Sequence, residues 1–243
     1  MRLATWNVER LRSGRRRARA LDWVNRIAAD IWVFTEADSD FAPHGLRHVH
    51  TSLPDPARHP RERWVSIVSS FPLEPVALVG DPIRSAAAFV HPPGTGALIV
   101  FGTVLPWTTD RWRGHRGSDA FAAALAAQLI DLRSLRTRER SSKFVLAGDF
   151  NQHLGDGDRY WSGRNKRLIS EALAELGLTV LTANPTDPVQ RVAPDRRSVD
   201  HVCVAKPLEC NRESLGVWPP GPQPDPLVSD HFGVVLESAP ILA

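Results

Sequence analysis

Near the middle of the chain, Phe144-Val145-Leu146-Ala147-Gly148-Asp149-Phe150-Asn151 places an acid and an amide at the end of an apolar run. Apolar residues running into a glycine predict a buried strand that stops at a tight turn. Asp149 and Asn151 are two apart, so extended backbone points them the same way. A carboxylate and an amide facing one spot can hold a metal, a water or a phosphate. Asp and Asn also cap turns, so this stretch alone leaves a turn and a site equally open. The pattern recurs, however. Polar groups also sit at the ends of other apolar strands: Asn7 with Glu9, Glu36, Asp200, and Asp230 with His231. Carboxylates, amides and one imidazole suit a hard cation and phosphate chemistry. Mg²⁺ takes one or two carboxylates and keeps several waters for substrate oxygens. A further carboxylate can act as base toward a water. Amide and imidazole donors stabilise charge growing on phosphoryl oxygens. Each residue alone reads equally well as a turn or cap; their recurrence at strand ends does not.

The elements that must position these residues follow from the pattern. Residues 2–8 predict a first strand ending near Asn7. Leu21, Val24, Ile27 and Ala28 have helical spacing over 20–30, with Ser13 as an N-cap, and the basic run at 15–19 reads as a solvated helix face. Ile31 to Thr35 is a continuous apolar run, as expected of a strand buried on both faces, and it leads into Glu36. Residues 39–63 are Pro-rich and loop-like. Trp64 to Ser69 alternates as a strand and meets a turn at Phe71-Pro72-Leu73. Ala86 to Val90 and Ala97 to Val104 predict a strand pair. Residues 106–117 form a polar, aromatic loop, and Ser118 to about Thr137 is an Ala- and Leu-rich helix. After the central strand come a Gly-rich loop at 154–164, a helix over Lys166 to Leu176 ended by Gly177, and a short strand over Leu178 to Thr182. A loop to Arg197, a strand over 198–204, a Pro-rich loop at 219–226 and a last strand over Gly233 to Leu236 complete the chain. No repeat and no linker divides it, so one domain over 1–243 is expected. Strands alternate with a few helices and several short turns, giving an α/β or α+β fold with a mixed-sheet core.

Composition narrows the function classes. The 243 residues suffice for one large domain with a substantial core. No apolar stretch is long enough to cross a membrane, and the N-terminus lacks a signal-peptide pattern, so a cytoplasmic protein acting away from membranes is expected. Cys203 and Cys210 are too few for a disulfide scaffold or a structural zinc site. Lysine occurs only at 143, 166 and 206, so 27 of the 30 basic residues are arginines. Guanidinium forks bind phosphate, and the sequence pI is about 9.3. Both favour a polyanionic partner, although genomic base composition accounts for an arginine bias equally well.

Taken together, Trp6-Asn7-Val8, Thr35-Glu36, Gly148-Asp149-Phe150-Asn151, Val199-Asp200-His201 and Ser229-Asp230-His231 resemble the motifs of the endonuclease/exonuclease/phosphatase superfamily. This is the fold of pancreatic deoxyribonuclease and the abasic-site endonucleases. The motifs stand in the family's order across nearly the whole chain. The resemblance implies a four-layer α/β sandwich, two mixed sheets packed face to face and flanked by helices, with the site at one end of the sheets. It also implies roles. Glu36 matches the principal metal-binding glutamate, Glu9 a second metal-binding acid and Asp230 an acid on the metal side. Asn7 matches the asparagine that supports the metal and the nucleophile. Asp149 matches the residue that activates water, and Asn151 the amide donor to the scissile phosphate. His231 matches the imidazole on the phosphate, and Asp200 the acid that orients it. The implied cofactor is Mg²⁺, with Mn²⁺ as an alternative.

One departure stands out. Nuclease members carry a His or Tyr on the strand before the long helix, where this chain reads Gly102-Thr103-Val104-Leu105-Pro106-Trp107. His115 and Arg116, and less strongly Arg113, are candidates to fill the gap. Trp107, Trp112, Tyr160 and Trp161 are candidates to stack on bases. The expected activity is a metal-dependent phosphodiesterase, foremost a nuclease attacking DNA or RNA in line with water. The alternatives are a phosphatase or lipid phosphoesterase on the same site, or a non-catalytic binding module on the same fold.

Overall fold

The computed structural model describes residues 1–155, 162–205, 208 and 214–237. Tyr160, Trp161 and Cys210 therefore lie outside the described residues. Among these residues, the strands form two six-stranded sheets and one small hairpin.

The first sheet is centred on β1 (Arg2–Asn7). β1 runs parallel to β2 (Ile31–Asp38) and antiparallel to β14 (Gly233–Glu237). The sheet is completed by β4 (Glu62–Ser69) and β3 (His48–Thr51) beyond β2, and by β13 (Leu215–Trp218) beyond β14. The second sheet is centred on β10 (Lys143–Asp149), the strand that the central apolar run predicts. β10 runs parallel to β7 (Leu98–Val104) and antiparallel to β12 (Asp200–Ala205). Outside these lie β6 (Ser85–Val90) and β5 (Leu73–Val76) on one side and β11 (Leu178–Val180) on the other.

Strand sequences explain the layering. Along β2, Ile31 and Val33 point between the sheets, while Trp32 and Phe34 point outward. Along β10, Val145 and Ala147 point inward and Phe144 and Leu146 outward. Both faces of each strand are covered, which is why the runs read as continuously apolar. The outer face of the first sheet packs on α1 (Gly14–Ile27) through Ala20, Trp23 and Val24. The outer face of the second packs on α2 (Gly117–Arg138) and α3 (Gly163–Glu175) through Phe121, Leu125, Leu129, Ile169 and Leu173. The result is the expected four-layer α/β sandwich. Each fully buried Phe or Leu side chain in it stabilises the fold by roughly 1.5–3 kcal/mol.

Several elements differ from the sequence reading. α1 starts at Gly14, a turn and a half before the apolar spacing begins, because Ser13 caps it by accepting from the Arg16 N–H. The basic run is thus inside the helix. β3 lies within the Pro-rich stretch and β5 follows the Pro72 turn, both half-exposed edge strands with no apolar run to announce them. The loop at 106–117 holds a hairpin, β8 (Arg111–Trp112) and β9 (His115–Arg116). The loop before Arg197 holds a short helix, α4 (Pro188–Val192), capped by Asp187. Gly148 has φ +139°, and a β-carbon there would come within 2.1 Å of the Thr103 carbonyl oxygen. Only glycine lets β10 approach β7 this closely before turning.

Candidate active site

The carboxyl end of β1 and the carboxyl end of β10 meet at one edge of the sandwich. Strand register brings the polar residues together there. Asn7 pairs with Thr35, so Glu36 follows directly beside it. Asp149 pairs with Asp200 on one side and Val104 on the other. His231 lies just before β14, the other neighbour of β1. An open cleft of about 410 Å³ is lined by Asn7, Glu9, Glu36, Asp149, Asn151, Asp230 and His231, together with Arg10, Arg12, Arg16 and Trp107. Asp200 lies behind His231, 3% exposed.

Two hydrogen-bonded pairs cross between the sheets. In the first, Asn7 Nδ2 donates to Asp149 Oδ2 at 3.0 Å. Asp149 also accepts from the Asn151 backbone N–H (2.8 Å) and from Asn151 Nδ2 (3.0 Å). The second Asn151 Nδ2 bond goes to the Leu105 carbonyl, at 3.0 Å. Asn151 has φ +47°, a strained backbone that turns its amide back onto the acid. Its side-chain amide is thereby bonded to Asp149 and to the Leu105 carbonyl, and the residue lines the cleft. In the second pair, His231 Nδ1 donates to Asp200 Oδ2 at 2.6 Å. This fixes the ring so that Nε2 faces the cleft, 3.6 Å from Asp230 Oδ1.

Burial and charge set the protonation states. Burial pushes the Asp149 carboxyl up to about 7, against the downward pull of the His231 charge and with the help of Asp200. Burial also raises Asp200. Burial works against a charge on His231, but Asp200 and Asp149 outweigh it and raise the imidazole to about 10. At neutral pH the site therefore holds a carboxyl poised near its midpoint beside a charged imidazolium.

The acids that the sequence resemblance assigns to a metal are placed differently. Glu36 is 7% exposed and has φ +52°. Its Oε2 accepts from Arg10 Nε (2.9 Å) and Arg58 Nη1 (3.3 Å), and its Oε1 faces Asn7 Nδ2 at 3.5 Å. Glu9 pairs with Arg16 at 3.0 Å on the rim. Asp230 is largely exposed. A separate trio, Asp149, Asp200 and His231, brings ligand-type atoms within 4.8 Å of one another.

The remaining expected residues divide. Trp107 reaches the cleft, with its Nε1 donating to Thr109 Oγ1 and its ring 6.3 Å from that of Trp64. His115, Arg116 and Arg113 do not line it. They sit on the β8–β9 hairpin, where Arg113 donates to the Gly80 carbonyl and stacks on Trp112. Trp112 is tied to the buried Asp81 through its Nε1 and packs with the α2 layer rather than the cleft. Val104 is fully buried, so the departure noted in the sequence is apolar in the structure as well. Sequence reasoning did not anticipate Arg10, Arg12 and Arg16 at the cleft. The positive backbone angles at Glu9 and Arg10 turn the chain so that they face it, and no composition signal reports those angles.

Comparison with known proteins identifies the fold that carries this cleft. A family model described as "Endonuclease/Exonuclease/phosphatase family" matches residues 4–231. No curated protein sequence matches the chain. Among solved structures, an AP endonuclease from Archaeoglobus fulgidus is 17% identical, with a TM-score of 0.65 over 98% of this chain and 99% of that one. A 3'-5' exonuclease from Neisseria meningitidis is 22% identical, with a TM-score of 0.64 over 98% and 99%. An endonuclease/exonuclease/phosphatase from Beutenbergia cavernae is 18% identical, with a TM-score of 0.64 over 97% of this chain and 70% of that one. These similarities establish the shared fold. No helix among the described residues is long and apolar enough to cross a membrane. With the profile spanning nearly its whole length, the chain belongs to the endonuclease/exonuclease/phosphatase family.

Proposed function

We propose that the protein is a divalent-metal-dependent phosphodiesterase acting on nucleic acid by in-line attack of water. The observation that carries this reading is the pair of hydrogen-bonded groups at the cleft: Asp149, held by Asn7 and Asn151, and His231, held by Asp200. Burial raises Asp149 to about 7, and, against burial, the neighbouring acids raise His231 to about 10. A carboxyl poised near neutrality is suited to take a proton from water. Asn7 and Asn151 hold it in place through its Oδ2. The imidazolium of His231, oriented by Asp200, is suited to donate from Nε2 to a phosphoryl oxygen as negative charge grows there.

The donor set fits a hard cation. Glu36 presents a buried carboxylate to the cleft with Oε1 bound only by a long contact to Asn7, and Glu9 and Asp230 stand at the rim. These are the residues that would hold Mg²⁺ or Mn²⁺, and the ion would supply charge stabilisation at the phosphate. The trio of Asp149, Asp200 and His231 is the tighter cluster by distance. Most of its ligand atoms are engaged: Asp200 Oδ2 and His231 Nδ1 share a proton, and Asp149 accepts from two amide side chains and one backbone N–H, while Asp200 Oδ1 is buried without a partner among the described residues. We therefore assign the trio to proton handling and the cation to Glu36.

Nucleic acid is favoured over a small ester because the cleft is open and its wall carries Arg10, Arg12, Arg16 and the ring of Trp107. The abasic-site endonuclease and exonuclease folds point the same way. A panel of single-stranded DNA, duplex DNA, RNA, a 3'-phosphorylated oligonucleotide and p-nitrophenyl phosphate, assayed with Mg²⁺ and Mn²⁺, tests the reading. Metal-dependent cleavage of a nucleic acid that disappears in Asp149→Asn is expected. Turnover of p-nitrophenyl phosphate alone would move the assignment to a phosphatase. No turnover of any substrate, with Asp149→Asn indistinguishable from wild type, would end it.

A further inference from the structure

The Glu36 carboxylate is already surrounded by positive charge. Arg10 and Arg58 both donate to its Oε2. Behind it lies a second buried carboxylate, Glu62, 2.7 Å from Arg12 and within 3.9 Å of both Arg10 and Arg58. Three guanidiniums thus share two buried acids, leaving this wall of the cleft with an excess positive charge before any metal arrives.

The three arginines are not equivalent. Arg58 is fixed: its guanidinium lies flat on the Trp64 ring, 3.5 Å from the centroid, and its side chain is 17% exposed. Arg12 reaches only Glu62 and is mostly solvated. Arg10 lines the cleft beside Glu36. It uses Nε on Glu36, and its terminal amines have no hydrogen-bond partner among the described residues. Its backbone is also unusual. Arg10 has φ +57° and Glu9 before it has φ +47°, so two successive residues other than glycine occupy left-handed backbone. A long charged side chain held there, where glycine fits without strain, is an outlier that asks for a functional reason.

We propose that Arg10 is a built-in competitor for the Glu36 carboxylate and sets the affinity of the site for its divalent cation. The Arg10 guanidinium occupies a lone pair of Glu36 and places a full positive charge beside the position a cation would take. Both effects oppose metal binding, and both are removed together with the side chain. Arg10 is thereby a positioning residue for Glu36 and determines the free-metal concentration at which the site loads. The proposal rests on Glu36 being the metal-binding carboxylate.

Titration of the protein with Mn²⁺ alone, following free Mn²⁺ by electron paramagnetic resonance, tests it without reference to activity. Arg10→Gly removes the competitor and suits the left-handed backbone. Arg10→Gln keeps a donor to Glu36 without the charge and covers the case in which the glycine variant fails to fold. Both are expected to bind Mn²⁺ about tenfold or more tightly than wild type, given the charge removed at contact distance. Glu36→Gln is expected to lose the site. Unchanged or weaker Mn²⁺ affinity in both Arg10 variants, with Glu36→Gln still abolishing binding, overturns the proposal and leaves the assignment of Glu36 standing. Wild-type Mn²⁺ affinity in Glu36→Gln overturns that assignment and the proposal with it.

Discussion

The two six-stranded sheets follow one plan and end differently. Each has a central strand, a parallel neighbour on one side, an antiparallel neighbour on the other, and further antiparallel strands outside. Around β1, the ends carry an amide (Asn7), an acid beside the parallel partner (Glu36) and an imidazole before the antiparallel one (His231). Around β10, the same places carry an acid (Asp149), apolar residues (Val104, then Leu105) and a second acid (Asp200). Arginines from the β1–α1 connection line the cleft on the first side, and buried, desolvated carboxylates stand on the second. Neither end is a site by itself. The pairs Asn7–Asp149 and Asp200–His231 each take one member from each sheet. Under the proposed function, proton chemistry falls to the seam between the sheets, whereas the cation falls to Glu36 on the first sheet. Val104 and Leu105 leave the second sheet no acid where the first has Glu36.

The largest expected effect comes from removing the acid of the second sheet. Asp149→Ala should lower kcat/KM for phosphodiester cleavage by about 10³-fold, as expected for loss of a general base and its hydrogen-bonded supports. Steady-state kinetics check it; a loss below tenfold would leave the seam without its base.

The buried polar shell behind the second sheet end gives the next effect, on stability. His201 is 1% exposed, with Nδ1 2.8 Å from Thr182 Oγ1 and Nε2 2.9 Å from the Gln152 carbonyl. Burial lowers its pKa from 6.5 to about 4. The folded value lies below the unfolded one, so the unfolded chain binds more protons in that window. Stability is full above about 6.5 and falls as pH drops toward about 4, by on the order of 3 kcal/mol from this group. Denaturant melts of wild type and His201→Gln across that range check it, since the variant should lose this part of the pH dependence.

Asp200→Asn sharpens the comparison further. In wild type, activity should rise through about 7 as Asp149 ionises and fall through about 10 as His231 loses its proton. The variant removes the charge that outweighs the burial of His231, so the alkaline limb should move down by one or more pH units, with kcat falling about 10²-fold. A pH–rate profile with an unmoved alkaline limb would separate Asp200 from the imidazole. The smallest effect is expected on the β8–β9 hairpin. Arg116→Ala should leave kcat and KM within about twofold of wild type, because Arg116 is exposed and does not line the cleft.

Much of this plan is legible in the sequence, and the reasons are specific. β2 and β10 are buried on both faces, so Ile31 to Phe34 and Phe144 to Ala147 read as continuous apolar runs; Asp149 ends β10, whereas β2 runs two residues past Glu36, which is skipped in its pairing with β4. β3, β5 and β13 escape because edge strands of four residues, partly exposed and in β5 interrupted by Pro75, carry little apolar patterning. The clustering of Asn7, Glu36, Asp149 and His231 at one edge was readable from motif order. The bonding among them was not. That Asn151 turns its amide back onto Asp149 depends on a φ of +47°, and that Arg10 and Arg58 sit on Glu36 depends on two loops meeting at one carboxylate oxygen. Local sequence encodes neither. Reading the hairpin residues His115 and Arg116 as stand-ins for the missing His or Tyr followed from proximity along the chain, whereas Trp107 is the loop residue that reaches the cleft.

The seam is tested most directly by following the His231 imidazole by ¹⁵N NMR as metal-free protein is titrated, in wild type and in Asp200→Asn. The account predicts a ring that stays doubly protonated at neutral pH and titrates near 10 in wild type, and at a clearly lower pH in the variant. A wild-type midpoint near 6.5, unmoved by Asp200→Asn, would contradict it.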